Sequence, residues 1–183
     1  MTTFDTLWRD WRQSGAPAPY VLINCAGLER GADQLHEAGF ERLECLFLGD
    51  LAEELRDVAP YLAWSSRMDD AAASVVRHLS LQQVAILAEL HDANTTFERI
   101  HRHLRKFNIV YGPDGNPLYF RYADARVLPQ VLATFPAEQL DEFLGLIEAL
   151  YTTSPEGEIA RISRSNTAAR EGARPPALAG SNP

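Results

Sequence analysis

His103–Leu128 reads HLRKFNIVYGPDGNPLYFRYADARVL. Within it, Pro113-Asp114-Gly115 is a turn with a mechanism, because Pro presets φ and Gly tolerates φ > 0. The β-rich runs on either side, Asn108–Tyr111 and Leu118–Tyr122, are therefore expected to pair as a hairpin. In the second run, Leu118, Phe120 and Tyr122 should share one face, and Tyr119 and Arg121 the other. Upstream, Phe97, Ile100, Leu104 and Phe107 recur at helical spacing. Thr95 and Glu98 have the spacing of a capping box at the start of that helix. Arg99, Arg102 and Lys106 fall on the opposite side as a basic stripe. Cations late in a helix complement its macrodipole, but in an acidic chain the stripe is also a candidate docking surface. At the hairpin exit, Arg121, Asp124 and Arg126 can lock the turn through charge-assisted hydrogen bonds. They serve either as a structural brace or as a partner contact, with Phe120 beside them.

Working outward, Tyr20–Cys25, Leu43–Leu48 and Val84–Glu89 are short, nearly continuous apolar runs, the pattern of strands covered on both faces. Helical segments fall between them: Ala32–Ala38, one opened by Asp50 and Glu53 that carries Leu51, Leu55 and Val58, and Met68–Leu79. Tyr61–Trp64 reads as a short extended piece. The alternation predicts an α/β single domain with a mixed, partly parallel sheet of about five strands flanked by helices. Val127–Phe135 and Pro136–Tyr151 read as two further helices, a helical C-terminal part whose second member turns Leu140, Phe143, Leu144, Ile147 and Leu150 inward. Residues 3–13 form an amphipathic helix with Trp8 and Trp11 on its apolar side, followed by a linker over 14–19. These tryptophans need a covering surface, either the domain's own sheet or a partner. The organisation is thus 1–19 helix and linker, 20–153 domain, and 154–183 a flexible, poorly structured tail that lacks apolar periodicity.

The chain has 183 residues and 46% hydrophobic composition, enough for one core. Its net charge is −8, and four Arg against three Glu beyond residue 153 leave the remainder more acidic still. A general nucleic-acid binder would show a basic footprint instead. No apolar run approaches the ~18 residues of a membrane span, and the N-terminus lacks the pattern of a signal peptide. The expected location is cytoplasmic, with Cys25 and Cys45 as reduced, buried thiols.

Little in the sequence recruits catalytic chemistry. His101 and His103 are two residues apart on a helix, so their rings diverge and cannot share a metal through one face. Neither cysteine has a neighbouring cation to stabilise a thiolate. Phosphate-binding and nucleophile-elbow motifs are absent. No catalytic, cofactor-binding or metal residue is assigned, and no cofactor or small-molecule substrate is expected. The alternative is a small hydrolase or transferase using a cysteine or a histidine.

The chain resembles the type VI secretion effector chaperones, also called adaptors (Tap or TEC proteins), which are encoded beside the spike protein VgrG and its toxins. The resemblance is carried in order by YVLINCAG at 20–27, LFLGD at 46–50, APYL at 59–62, HLRKF at 103–107, FRYADARVL at 120–128 and AEQLDEFLG at 137–145. It spans roughly residues 20–151. Ala123 stands where the family usually has an aromatic residue, Ala125 where it has proline, and Asn24 where it has aspartate. The resemblance implies a non-enzymatic protein that binds a cognate toxin effector and helps load it onto a VgrG or PAAR spike. An immunity-type toxin binder is the other protein-binding reading. Either predicts an exposed apolar surface rimmed by charge, with Trp8/Trp11, the basic stripe and the Arg121–Arg126 region as candidates.

Overall fold

The computed structural model describes residues 2–49, 53–112 and 114–164. Six helices appear among them: α1 (Phe4–Ser14), α2 (Gly31–Glu37), α3 (Asp70–Leu81), α4 (Phe97–Arg105), α5 (Leu128–Leu132) and α6 (Ala137–Leu144). The strands are β1 (Tyr20–Asn24), β2 (Arg42–Cys45), β3 (Pro60–Trp64), β4 (Ala85–Leu90), β5 (Ile109–Tyr111), β6 (Pro117–Tyr119), β7 (Ile147–Thr153) and β8 (Ile159–Ile162). Six of them form one sheet in the order β2-β3-β1-β4-β7-β8, while β5 and β6 form a separate two-stranded sheet.

The α/β class stands, but the strand directions differ from the expectation. Every pairing in the large sheet is antiparallel. Apolar residues on both faces of β1 and β4 required only that both faces be covered, and helices do cover both. On one face Leu22, Leu62, Ile86 and Leu150 pack with Phe97, Ile100 and Leu104 of α4 and with residues of α5 and α6. On the other, Val21, Ile23, Leu87 and Ala149 pack with Phe4, Trp8 and Trp11 of α1 and with residues of α2 and α3. Coverage, not parallel direction, is what a doubly apolar strand reports here.

Helix α1 is defined at both ends. The Thr3 side chain accepts from the Thr6 amide at 3.4 Å, and Gly15 closes the helix at φ 68°. Arg12 to Asp70 at 2.6 Å and Arg77 to Asp5 at 3.3 Å tie it to α3. The N-terminal helix is therefore part of the domain.

One stretch is extended as expected and gains a place in the sheet, and two others depart from the sequence expectation. Tyr61–Trp64 is most of β3, an internal strand between β1 and β2. The helix expected through Tyr151 stops at Leu144, because Gly145 takes φ 45°, ψ −96°. A Cβ there would collide with the His103 ring. Beyond it Ile147–Thr153 becomes β7, paired with β4 and β8. Both periodicities fit the same residues, and the open edge of β4 decides between them. The sheet also continues past residue 153: β8 lies within the segment expected to be tail, and the Ile159 amide donates to the Thr2 carbonyl at 3.0 Å. The remainder of that tail, 165–183, lies outside the described residues, as do Asp50 of the expected N-cap and Pro113 of the turn.

Candidate functional site: an exposed apolar face beside a basic helix end

Helix α4 positions the site. Its N-cap is Thr96, one residue later than the expected Thr95, and the Thr96 hydroxyl accepts from the Arg99 amide at 3.3 Å. Phe97, Ile100 and Leu104 are buried, and Phe107 packs partly buried just beyond the helix. Arg99, Arg102 and Lys106 are exposed as expected.

Two buried polar contacts fasten the loop after β2 to this helix. His101 Nε2 donates to the Cys45 carbonyl at 2.8 Å, and Asn108 Nδ2 to the Leu46 carbonyl at 2.6 Å. Leu46 is thereby pinned in the core, and the chain then turns outward so that Leu48 is 61% exposed. Phe47 meets Tyr119 edge-on at 5.4 Å between ring centroids, which ties the loop to the hairpin.

The hairpin forms where expected, with Ile109 opposite Tyr119 and Val110 opposite Leu118. Its turn closes through the Gly112 amide to the Asn116 carbonyl at 3.0 Å, with Gly115 at φ 77°. The second strand ends at Tyr119, however, and the expected face alternation fails. Leu118 and Tyr119 are both exposed, whereas Phe120 and Tyr122 are buried. Val110 packs on the core, while among the described residues Ile109, Tyr111, Leu118 and Tyr119 are left in solvent.

The large apolar side chains with high exposure among the described residues fall in two segments: Leu48, Leu55 and Val58, and Ile109, Tyr111, Leu118 and Tyr119. From these, Leu48, Leu55, Val58, Ile109 and Tyr119 line one groove of about 640 Å³, which Arg105 and Arg121 also line. Leu48 and Arg105 belong as well to an adjoining depression lined by Arg102, Lys106 and His101, with Glu44 and Glu98 on its rim paired to Arg42. The apolar face and the basic helix end are thus continuous. The sequence reading missed this face, having placed Leu55 and Val58 on a helix without assigning them a side. The available signal was that a lone hairpin apolar on both faces cannot bury both.

Beside the groove, Asp124 organises the turn that follows the hairpin. Its side chain is 1% exposed and accepts from Arg121 Nη2 at 2.9 Å, from Arg126 Nε and Nη2 at 2.9 and 2.8 Å, and from the Arg126 amide at 3.0 Å. Hydrogen bonds from Arg126, reinforced by both guanidinium charges, hold its carboxyl below the usual carboxylate range. Asn24 Nδ2 reaches Asp124 Oδ2 at 3.4 Å, joining the end of β1 to the turn. Asn24 can donate to that carboxylate, whereas an aspartate there would repel it. Ala123 and Ala125, on either side of Asp124, are buried.

The sequence-derived site residues therefore separate. Arg102, Lys106 and Arg121 border the apolar face. Arg99 is exposed on the same helix, Asp124 and Arg126 brace the turn, and Phe120 is core. Of the two readings open for Trp8 and Trp11, the domain's own sheet covers them: they are 6% and 7% exposed, and lie in the cluster on the other side of the sheet. Trp8 Nε1 donates to the Met68 carbonyl at 3.3 Å, and Trp11 stacks edge-on with Tyr151. Both rings are core aromatics.

Cys45 lies close enough to Cys25 to raise its pKa, and its carbonyl accepts from His101. Burial pushes the Cys25 thiol up to about 12 and raises Cys45 as well. His103 Nε2 donates to the Phe143 carbonyl at 2.8 Å, and burial lowers its pKa. Among the described residues, no three His, Cys, Asp or Glu side chains are placed to hold a metal ion, and no helix is long and apolar enough to cross a membrane.

This is an α/β protein with a doubly covered antiparallel sheet and an outlying hairpin that presents apolar side chains. Residues 19–142 match the family model described as a domain of unknown function, DUF4123, and the chain belongs to that family. No curated protein and no solved structure matches it.

Proposed function

We propose that this protein is a cytoplasmic chaperone and adaptor that binds a cognate type VI secretion toxin effector and helps load it onto a VgrG or PAAR spike. The observation that carries the protein-binding part is the gathering of exposed apolar side chains on the loop after β2 and the hairpin, beside unpaired cations. Patches of this kind mark surfaces that are covered in a complex. Membership of the DUF4123 family and the ordered motifs from YVLINCAG to AEQLDEFLG support the secretion assignment. The protein is read as non-enzymatic, with no cofactor. The raised thiol pKa values favour that reading, since the thiolate is the reactive form.

The test is a stringent pull-down of the full-length protein from its native host. Co-purification of the toxin encoded beside it, or of a spike protein, is the expected result. Recovery of neither would overturn the proposal.

A further inference from the structure

Charge pairing divides this molecule unevenly. Ten of its described arginines have a carboxylate within ion-pair distance: Arg12, Arg30, Arg42, Arg56, Arg67, Arg77, Arg121, Arg126, Arg161 and Arg164. Among the described residues, the cations without such a partner are Arg9, Arg99, Arg102, Arg105 and Lys106. Four of these five belong to α4 and the residue after it, in a chain whose net charge is −8. The helix dipole favours cations in the last turn, a weak effect that salt screens. Glu44 and Glu98 line the same depression, but both pair with Arg42, which leaves these four cations without a carboxylate within ion-pair distance. Arg105 is the most telling member. Its Nε is shielded from solvent and has no acceptor, and its side chain lines both the apolar groove and the adjoining depression.

We infer that this face takes an acidic, apolar polypeptide segment. Its apolar side chains would enter the groove between Leu48, Val58, Ile109 and Tyr119, and its carboxylates would face Arg102, Arg105 and Lys106. The inference deepens the protein-binding reading above and rests on it, adding the chemistry of what is bound. Charge complementarity selects this occupant: a basic segment would meet four uncompensated cations, and a neutral one would leave their charge unmatched.

The probe is a phage-displayed library of random 16-residue peptides selected against the full-length protein. The expected winners carry net negative charge with apolar residues at regular spacing. Their affinity should fall roughly tenfold or more in the Arg102→Glu/Lys106→Glu variant and weaken with salt. Both positions are exposed, so folding is preserved, and Leu48→Ser/Ile109→Ser should give a comparable loss. Arg9→Glu, which reverses the unpaired cation on α1, should leave binding unchanged. Neutral or basic winners, no enrichment, or binding indifferent to the charge reversal would each overturn the inference. So would a concentration-dependent dimer abolished by Leu48→Ser, which assigns the face to a second copy. Sedimentation with phosphatidylglycerol vesicles in place of peptide binding would assign it to a membrane, also against the inference. The two proposals fail separately. A toxin that still co-purifies with the Arg102→Glu/Lys106→Glu variant sinks this one and leaves the adaptor reading intact. A wild-type pull-down empty of toxin and spike sinks the adaptor reading, while the peptide selection is read independently.

Discussion

Helix α1 and the β5–β6 hairpin both carry aromatic residues at regular spacing, yet Trp8 and Trp11 are buried while Tyr111 and Tyr119 face solvent. The helix lies on a broad sheet face that supplies Tyr151 and neighbouring apolar side chains beneath it. The hairpin touches the domain through Val110, Phe47 and the Asn108–Leu46 bond, and its Ile109, Tyr111, Leu118 and Tyr119 stay exposed among the described residues. Amphipathic pattern shows that a surface must be covered; only the extent of the adjoining layer shows whether the chain covers it itself.

That contrast can be broken by substitution. Trp11→Ala removes a large buried ring and should cost about 3–5 kcal/mol of stability, read as a lower urea midpoint with an unchanged slope. A cost below 1 kcal/mol would mean that α1 is not integral to the core. On the opposite face, Gly145→Ala should cost about 3 kcal/mol, because the new Cβ meets the His103 ring in a backbone conformation few L residues adopt. Relief by a second change, His103→Ala, would confirm that the ring is the obstacle.

Asp124→Asn probes the turn between hairpin and core. It should cost about 2 kcal/mol near neutral pH, moderated by the half-exposed arginine partners. The carboxyl has a lowered pKa in the folded state, so its contribution is complete above the unfolded value of about 4. It fades as pH falls through that value toward the folded one. The gap between wild type and variant should therefore narrow in acid; a gap constant from pH 7 to pH 3 would show that the charge is not what the brace uses. The smallest stability effect belongs to Tyr111→Ser. Tyr111 is 74% exposed, so the change should stay within about 0.5 kcal/mol in thermal melts. A larger loss would show that the hairpin face is a structural surface after all.

Much of this architecture could be read from the residues. The α4 seam, the hairpin with its Gly115 turn and the Arg121–Asp124–Arg126 bonds follow from spacing and side-chain chemistry within a few residues of each other. What could not be read depends on distant chain. Strand direction was ambiguous because a strand apolar on both faces fits parallel and antiparallel sheets alike. Ile147–Thr153 fits two periods, and its pairing with Leu87–Leu90 across some sixty residues chooses between them. The exposed face was the least legible, since Leu55, Val58 and Tyr119 are the residue types usually found inside. The unpaired state of Arg105 became visible only when every nearby carboxylate had been located.

The strand order carries a consequence for how this protein is made. Strand β4 finds β1 on one side early in the chain, but its other edge stays open until β7 has been synthesised. During that interval an apolar strand edge is available to other chains, a known route to aggregation. The DUF4123 match ends at residue 142, before β7 and β8, and begins at residue 19, after α1. A fragment cut at those limits would combine the bare β4 edge with a sheet face stripped of Phe4, Trp8 and Trp11. Material trimmed in this way should be recovered from cells as inclusion bodies.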